Sequence, residues 1–176
     1  MKIFKKIVLG IVSVIVLLLV IALFIPKDYS VSVSTTINKP KQVVFDYVKM
    51  IKNQENYSVW VMEDPNIKMV YQGVDGTVGF KASWDSKDNN VGAGSQQITA
   101  ISEDKLDIDL HFERPMKGDN KAKTTLESIS NMETKITSEF YGHSPYPMNL
   151  MTFIGKKIIT DAQTQNLANL KKILEK

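Results

Sequence analysis

Cysteine is absent from all 176 residues, which excludes disulfides, thiolate nucleophiles and cysteine-bound metals. Arginine occurs once, at Arg114, and histidine twice, at His111 and His143. With two imidazoles and no H-x-x-x-H or comparable cluster, no metal site is expected. Phosphate-cradling loops are also lacking. Gly92-Ala93-Gly94 is a two-glycine turn, and neither a P-loop nor a G-x-G-x-x-G pattern occurs. No cofactor is implied. Acidic residues are missing from the first 27 positions. Three of the 22 basic residues (Lys2, Lys5, Lys6) lie in that stretch before an apolar run, leaving 19 basic against 19 acidic residues beyond the run. The formal charge of +3 therefore belongs to the N-terminal tail. The rest is neutral and has no basic face with which to bind phosphates, so nucleic acid is not an expected partner.

What the chain does have is a charge-free run from Ile7 to Ile25, interrupted only by Gly10 and Ser13 and followed by Pro26-Lys27-Asp28. As a helix it would rise roughly 28 Å, close to the ~30 Å hydrocarbon core of a bilayer. A cleaved signal peptide would have a shorter apolar core and a small-x-small site, whereas this run ends in Leu23-Phe24-Ile25-Pro26. A core helix of a soluble protein would carry a polar face. The run reads as an uncleaved transmembrane anchor, Ile7 to Ile25. Three lysines before it, against Lys27 directly after it, place the N-terminus in the cytoplasm and the C-terminal part outside, in the cell membrane as a single-pass protein. Two segments follow: residues 1–27 as basic tail and anchor, and 28–176 as one domain large enough for its own core.

The domain opens on alternation. Tyr29, Val31, Val33, Thr35 and Ile37 share one face, with serines and Thr36 on the other, as in a half-buried strand. Asn38-Lys39-Pro40 breaks it, and Val43, Val44, Tyr47 and Val48 form a short helical stripe. A second short helix is expected between Ile51 and Trp60. Strands then succeed one another at 67–72, 77–85, 94–101, 106–113, 122–126 and 134–141, joined by turns such as Asp88-Asn89-Asn90 and Ser130-Asn131. Such a run implies an antiparallel meander with one wet face. After Pro147 the period changes: Met151, Ile154, Ile158, Ala162, Leu170 and Leu174 recur at helical spacing for about 25 residues. The expected fold class is α+β, a curved antiparallel sheet wrapped around a long C-terminal helix and preceded by one transmembrane helix.

This order, with its landmarks, resembles the helix-grip fold of the START-like (SRPBCC) superfamily, and within it the membrane-anchored polyketide cyclase/dehydrase-like bacterial branch. The landmarks are the anchor running into Tyr29-Ser30-Val31, Ile37-Asn38-Lys39-Pro40 with Val44-Phe45, and Trp60 shortly before Asp64-Pro65. They continue with Gly79, Trp84, Val91-Gly92-Ala93-Gly94, Phe112-Glu113-Arg114-Pro115, Pro145-Tyr146-Pro147-Met148-Asn149-Leu150 and Ile154-Gly155-Lys156. The resemblance covers nearly the whole chain and implies an apolar cavity between sheet and C-terminal helix that holds a hydrophobic small molecule or lipid. It does not imply one chemistry.

Alternation supports the same place. Val78, Phe80, Trp84, Ile98, Leu110, Phe112, Leu126, Ile136 and Phe140 project to one face, opposite Met151, Ile154 and Ile158, with Gln96, Thr124 and Ser138 as polar residues at inward positions. The plain alternative is that these side chains are packed core, and that the polar ones bond to neighbours or water. Candidates for chemistry are few. His111 falls on the solvent face between Leu110 and Phe112. His143, in the Gly142–Pro147 loop near the expected cavity mouth, is the better general base. Arg114 is expected to fix a loop through a carboxylate. The first hypothesis is therefore a membrane-anchored domain that binds a hydrophobic molecule or a lipid from the adjacent bilayer without chemistry. The alternatives are a cyclase or aromatase-like enzyme and a non-enzymatic envelope stress or interaction module.

Overall fold

The computed structural model describes residues 2–176. Its first element, α1 (Lys2–Ala22), is the one helix among the described residues long and apolar enough to cross a membrane. Its 21 residues rise about 31 Å. The helix ends three residues before the apolar run does, and Pro26 explains why. Ala22 is the carbonyl that residue 26 would bond, and proline has no N–H to give and clashes with that position. The last turn tightens instead: the N–H groups of Leu23 and Phe24 reach back to Val20 and Ile21.

A single seven-stranded antiparallel sheet follows, made of β1 (Asp28–Ile37), β2 (Lys68–Gln72), β3 (Lys81–Asp85), β4 (Ala93–Ile101), β5 (Lys105–Arg114), β6 (Gly118–Ser130) and β7 (Glu133–His143). The spatial order is β1-β7-β6-β5-β4-β3-β2, so five consecutive hairpins form the meander and β1 closes its far edge against β7. Register shifts at Ala93/Gly94, Ile98/Ala100 and Ser128/Ser130 bend the sheet, as bulges do. The alternation read from β1 holds: Val31 and Ile37 are buried, and Val33 and Thr35 half-buried, on the concave face. One assignment fails. The strand expected from Thr77 begins only at Lys81, because Gly73, Gly76 and Gly79 take left-handed backbone (φ +86°, +76° and +92°) through a turn. The period is lost there, and Val78 lies 61% exposed in the turn while Phe80 is buried.

Between β1 and β2 the chain forms α2 (Lys41–Val48), a 3-10 turn (Ile51–Asn56) and α3 (Val59–Glu63). After β7, a second 3-10 turn (Met148–Met151) leads into α4 (Thr152–Leu174), which runs along β1 and meets α3. The concave face divides in two. Its half farthest from α1 is a filled core. There Val44, Phe45, Val48 and Ile51 reach from α2 and the first 3-10 turn, and Leu167 and Leu170 from α4, onto Phe80, Ile98, Leu106, Leu126 and Ile136. Each such side chain contributes roughly 1.5–3 kcal/mol of burial. The half nearest α1 carries Leu110, Phe112, Asn120 and Ser138, all only half-buried. Nothing comparable to α2 covers it.

α4 also departs from expectation. Its buried residues are Asn166, Leu167 and Leu170, all in the second half. In the first half the inward positions are Thr152, Gly155 and Ile159, half-buried, whereas Met151, Ile154 and Ile158 are exposed. At 100° per residue the 151/154/158 stripe lies about 100° from the 152/155/159 stripe. It does not face the sheet.

Candidate functional site at the anchor end of the sheet

The uncovered half of the concavity is continuous with an open groove of about 890 Å³ at the end where β1 begins and β7 stops. That is within the 300–1,000 Å³ range of small-molecule sites. Ile25 and Pro26 from the α1 exit, Tyr29, Asn120, Gly142, Leu150, Phe153 and Lys156 line it. Tyr29 opposes Gly142 in the β1–β7 register. A Cβ on Gly142 would fall 2.3 Å from Tyr29 Cζ, so glycine is what lets the ring lie across β7, tilted against Phe140 at 6.2 Å. Burial pushes the Tyr29 hydroxyl pKa up, which keeps it a neutral hydrogen-bonding group at physiological pH.

Asn149 ties the groove to α1. It is 1% exposed, and its Nδ2 donates to the Ala22 carbonyl at 2.6 Å and the Ile25 carbonyl at 2.8 Å. Ala22 is the carbonyl that Pro26 leaves without a donor, so a side chain 127 residues away closes the helix end. Alongside it, the Ser144 N–H donates to the Lys27 carbonyl at 2.8 Å. Asn149 Oδ1 and Thr152 Oγ1 are buried without a partner among the described residues, and both residues line the groove. Sequence reasoning missed Asn149. The available signal was Pro26, which guarantees an orphaned carbonyl four residues upstream in any helix that approaches it.

The residues expected to line a cavity separate into three groups, and none of them lines this groove. Phe80, Ile98 and Phe140 are buried, the first two within the filled core. Gln96 is buried too, its amide donating to Gln54 Oε1 at 2.8 Å. Trp84, Leu110, Phe112, Thr124 and Ser138 are half-buried on the concave face. Within this group Trp84 stands edge-on to Phe112 at 5.7 Å, and Ser138 Oγ donates to Gln163 Oε1 at 2.8 Å, joining β7 to α4. The polar inward residues Gln96 and Ser138 thus bond to neighbours, as the plainer alternative held. Val78, Met151, Ile154 and Ile158 point to solvent, for the reasons of turn and helical phase given above.

Of the candidates for chemistry, His143 lines the groove together with Asp28, while His111 and Arg114 lie outside it. His143 Nδ1 lies 2.6 Å from Asp28 Oδ1 with 53% of its side chain exposed, and His111 pairs with Asp119 at 2.6 Å on the solvent side. Arg114 donates to the Asp85 carboxylate and the Ser86 carbonyl, and so fixes the β3–β4 loop. A smaller, polar groove of about 600 Å³ lies beside it, lined by Trp84, Lys81, His111 and Glu113. The Tyr141 hydroxyl and the Lys123 ammonium hold the Glu139 carboxyl below its ordinary pKa. Asp64 is lowered likewise by the Ser86 hydroxyl and the Asn66 N–H. Burial raises the Tyr57 hydroxyl, as it does that of Tyr71, which also donates to Glu55. No group of three or more His, Cys, Asp or Glu among the described residues is arranged to hold a metal ion.

No protein-family model matches the sequence, and no curated protein matches it either. Solved structures do. Norcoclaurine synthase from Thalictrum flavum, in complex with dopamine and hydroxybenzaldehyde, superimposes with a TM-score of 0.62 at 9% identity, over 83% of this chain and 86% of its own. Ara h 8.0201 gives 0.56 at 15% identity, over 84% and 97%. A protein from Arthrobacter aurescens gives 0.59 at 20% identity, over 82% and 85%. At these identities the likeness establishes architecture: a curved seven-stranded antiparallel sheet with a long C-terminal helix, which is the helix-grip fold.

Proposed function

We propose that the chain is a single-pass membrane protein whose helix-grip domain, residues 28–176, binds a hydrophobic small molecule or lipid without transforming it. The observation that carries this reading is the 890 Å³ groove, which has the α1 exit as one wall. A ligand site that shares residues Ile25 and Pro26 with the end of an apolar helix lies within reach of an amphiphile in the bilayer that the helix would span. Leu110, which pairs with the groove residue Asn120, and Phe112 beyond it are half-buried and extend the apolar surface inward along the concavity. Norcoclaurine synthase, with its two bound aromatic molecules, shows that this fold holds small molecules, and that supports the reading at the level of architecture. A cyclase-like reaction would need a proton-moving group turned toward the ligand. His143 lies in the groove wall, but its Nδ1 is taken by Asp28 and more than half of its side chain faces solvent, so binding is the reading we carry.

The test is native mass spectrometry of the full chain extracted from its own membranes in mild detergent. A co-purifying amphiphile, displaced when Leu150→Trp fills the groove, is the expected result. A ligand-free protein that also fails to take up added phospholipid or fatty acid would overturn it. The lysine bias favours a domain outside the cytoplasm; impermeant thiol reagents applied to intact cells expressing Lys87→Cys should therefore label it, and labelling only after lysis would reverse the orientation.

A further inference from the structure

Exposed apolar side chains are ordinary when scattered and informative when contiguous. The stretch Tyr146–Ile158 exposes Tyr146, Met148, Met151, Phe153, Ile154 and Ile158, with Phe153 at 86%, Ile154 at 53% and Ile158 at 56%. These follow one another through the second 3-10 turn and the first half of α4, the part of that helix with no buried residue. In water alone this would be an unprotected patch. Its position gives the reason. Asn149, in the middle of the stretch, is hydrogen-bonded to the carbonyls of Ala22 and Ile25, which fixes this segment at the end of α1. Leu23 and Phe24 on the α1 side are also exposed, so the patch continues directly into the apolar helix.

Depth follows from helical rise. Phe153 and Ile154 lie four and five residues beyond Asn149, at most about 7–9 Å through the end of the 3-10 turn and the start of α4, and Ile158 about 15 Å. The interfacial layer on each side of the hydrocarbon core is roughly 5–8 Å thick. If α1 spans a bilayer, Phe153 and Ile154 therefore lie at the outer edge of that layer when α4 runs straight away from the bilayer and inside it when α4 is inclined, and Ile158 reaches it only when the helix tilts toward the surface. Cations complement the position. Lys121 and Lys156 line the groove, and Lys27 follows Pro26; none of the three forms an ion pair among the described residues, while the two carboxylates in the same lining, Asp28 and Asp119, are paired with His143 and His111. Lysines at the edge of an apolar interfacial patch carry their alkyl stems against it and extend their charges to lipid phosphates.

From these we infer that Tyr146–Ile158 is a bilayer-docking surface, which seats the mouth of the groove in the headgroup layer of the leaflet next to the domain. The inference rests on the proposal that α1 is a transmembrane anchor, and it adds the route by which a lipid enters: laterally, past Phe153 and Leu150, without crossing water.

The absence of cysteine makes the test direct. Single substitutions Phe153→Cys, Ile154→Cys, Ile158→Cys, Leu17→Cys and Met132→Cys in the full chain are labelled with an environment-sensitive fluorophore. The labelled proteins are reconstituted into vesicles of phosphatidylcholine and phosphatidylglycerol, some carrying spin-labelled acyl chains as quenchers. Leu17 reports on the span, and Met132, in the β6–β7 turn at the opposite end of the sheet, reports on water. The expected result is deep quenching at 17, a blue shift with shallow quenching at 153 and 154, the same or weaker at 158, and none at 132. Labels at 153 and 154 that behave like 132 while 17 is quenched would overturn the docking surface and leave the anchor standing. No quenching at 17 would overturn the anchor and the docking surface with it. A blue shift at 153 that is unquenched by lipid and fades on dilution of protein in the vesicles would show that a second copy covers the patch, and would also overturn the inference.

Discussion

Replacing Asn149 should loosen the joint between α1 and the domain without unfolding the domain. In Asn149→Ala the carbonyls of Ala22 and Ile25 both lose their side-chain donor, and Pro26 cannot supply a substitute. Leaving such groups unpaired costs about 1–3 kcal/mol, which is a roughly 5- to 150-fold increase in the population of the opened joint. Asn149→Asp should be worse. It keeps the shape but removes the donor, and sets a carboxylate against two carbonyl oxygens at the negative end of a helix. The assay is limited trypsin digestion of the full chain in detergent, following by intact mass the cut after Lys27, whose own carbonyl is held by Ser144. Under conditions where the joint recloses faster than it is cut, the rate follows the open population. Cleavage after Lys87, in the exposed β3–β4 loop, is the internal reference. The order expected at Lys27 is wild type, then Asn149→Ala, then Asn149→Asp, with Lys87 unchanged. Equal rates at Lys27 in all three proteins would show that Asn149 holds nothing. A rise at Lys27 matched at Lys87 would show general destabilisation in place of a local clamp.

Other consequences can be checked by thermal or denaturant unfolding of the full chain in detergent. Thr152→Val replaces a buried hydroxyl that has no partner by a methyl of the same shape, so stability should stay level or rise by about 1 kcal/mol; a loss of that size would mean the hydroxyl is bonded after all. Gly92→Ala places a Cβ 2.1 Å from the Arg114 carbonyl at a φ of +66°, whereas Gly118→Ala meets nothing nearer than 3.8 Å; the first should cost about 2–3 kcal/mol or more and the second well under 1. Glu139 has a depressed pKa, so its contribution is present above the ordinary carboxylate value of about 4.3 and is lost as pH falls through its folded value. Glu139→Gln should accordingly be less stable than wild type at neutral pH and converge with it in acid; parallel curves at every pH would refute that assignment.

How far the molecule could be read from its residues depended on the range of the interaction involved. Strand faces were legible because a half-buried strand writes its environment at period two: Val31, Ile108, Leu126 and Ile136 are inside as alternation required. The three left-handed glycines from Gly73 to Gly79 broke that code locally, and Val78 was misplaced there. The groove was not legible. Whether the concave face is filled depends on which helices lie over it, and only one end receives Val44, Phe45 and Val48. The clamp at Asn149 spans more than 120 positions, and no periodicity reports such a contact.

The error at α4 is the more instructive one. Apolar residues at helical spacing suggest a protein interior, and that alone is what points Met151, Ile154 and Ile158 to the cavity. In a helix whose first half is apolar on several sides, spacing cannot choose the face. The structure turns Leu167 and Leu170 to the core and leaves Ile154 and Ile158 outside. Under the docking proposal the same pattern is two environments in succession along one helix: the second half amphipathic against the sheet, the first half apolar toward a lipid surface. That division is also what the labelling experiment measures, since the docking surface requires a change of environment between the sheet-packed and the anchor-proximal halves of α4, where a purely soluble domain would show solvent at every exposed position.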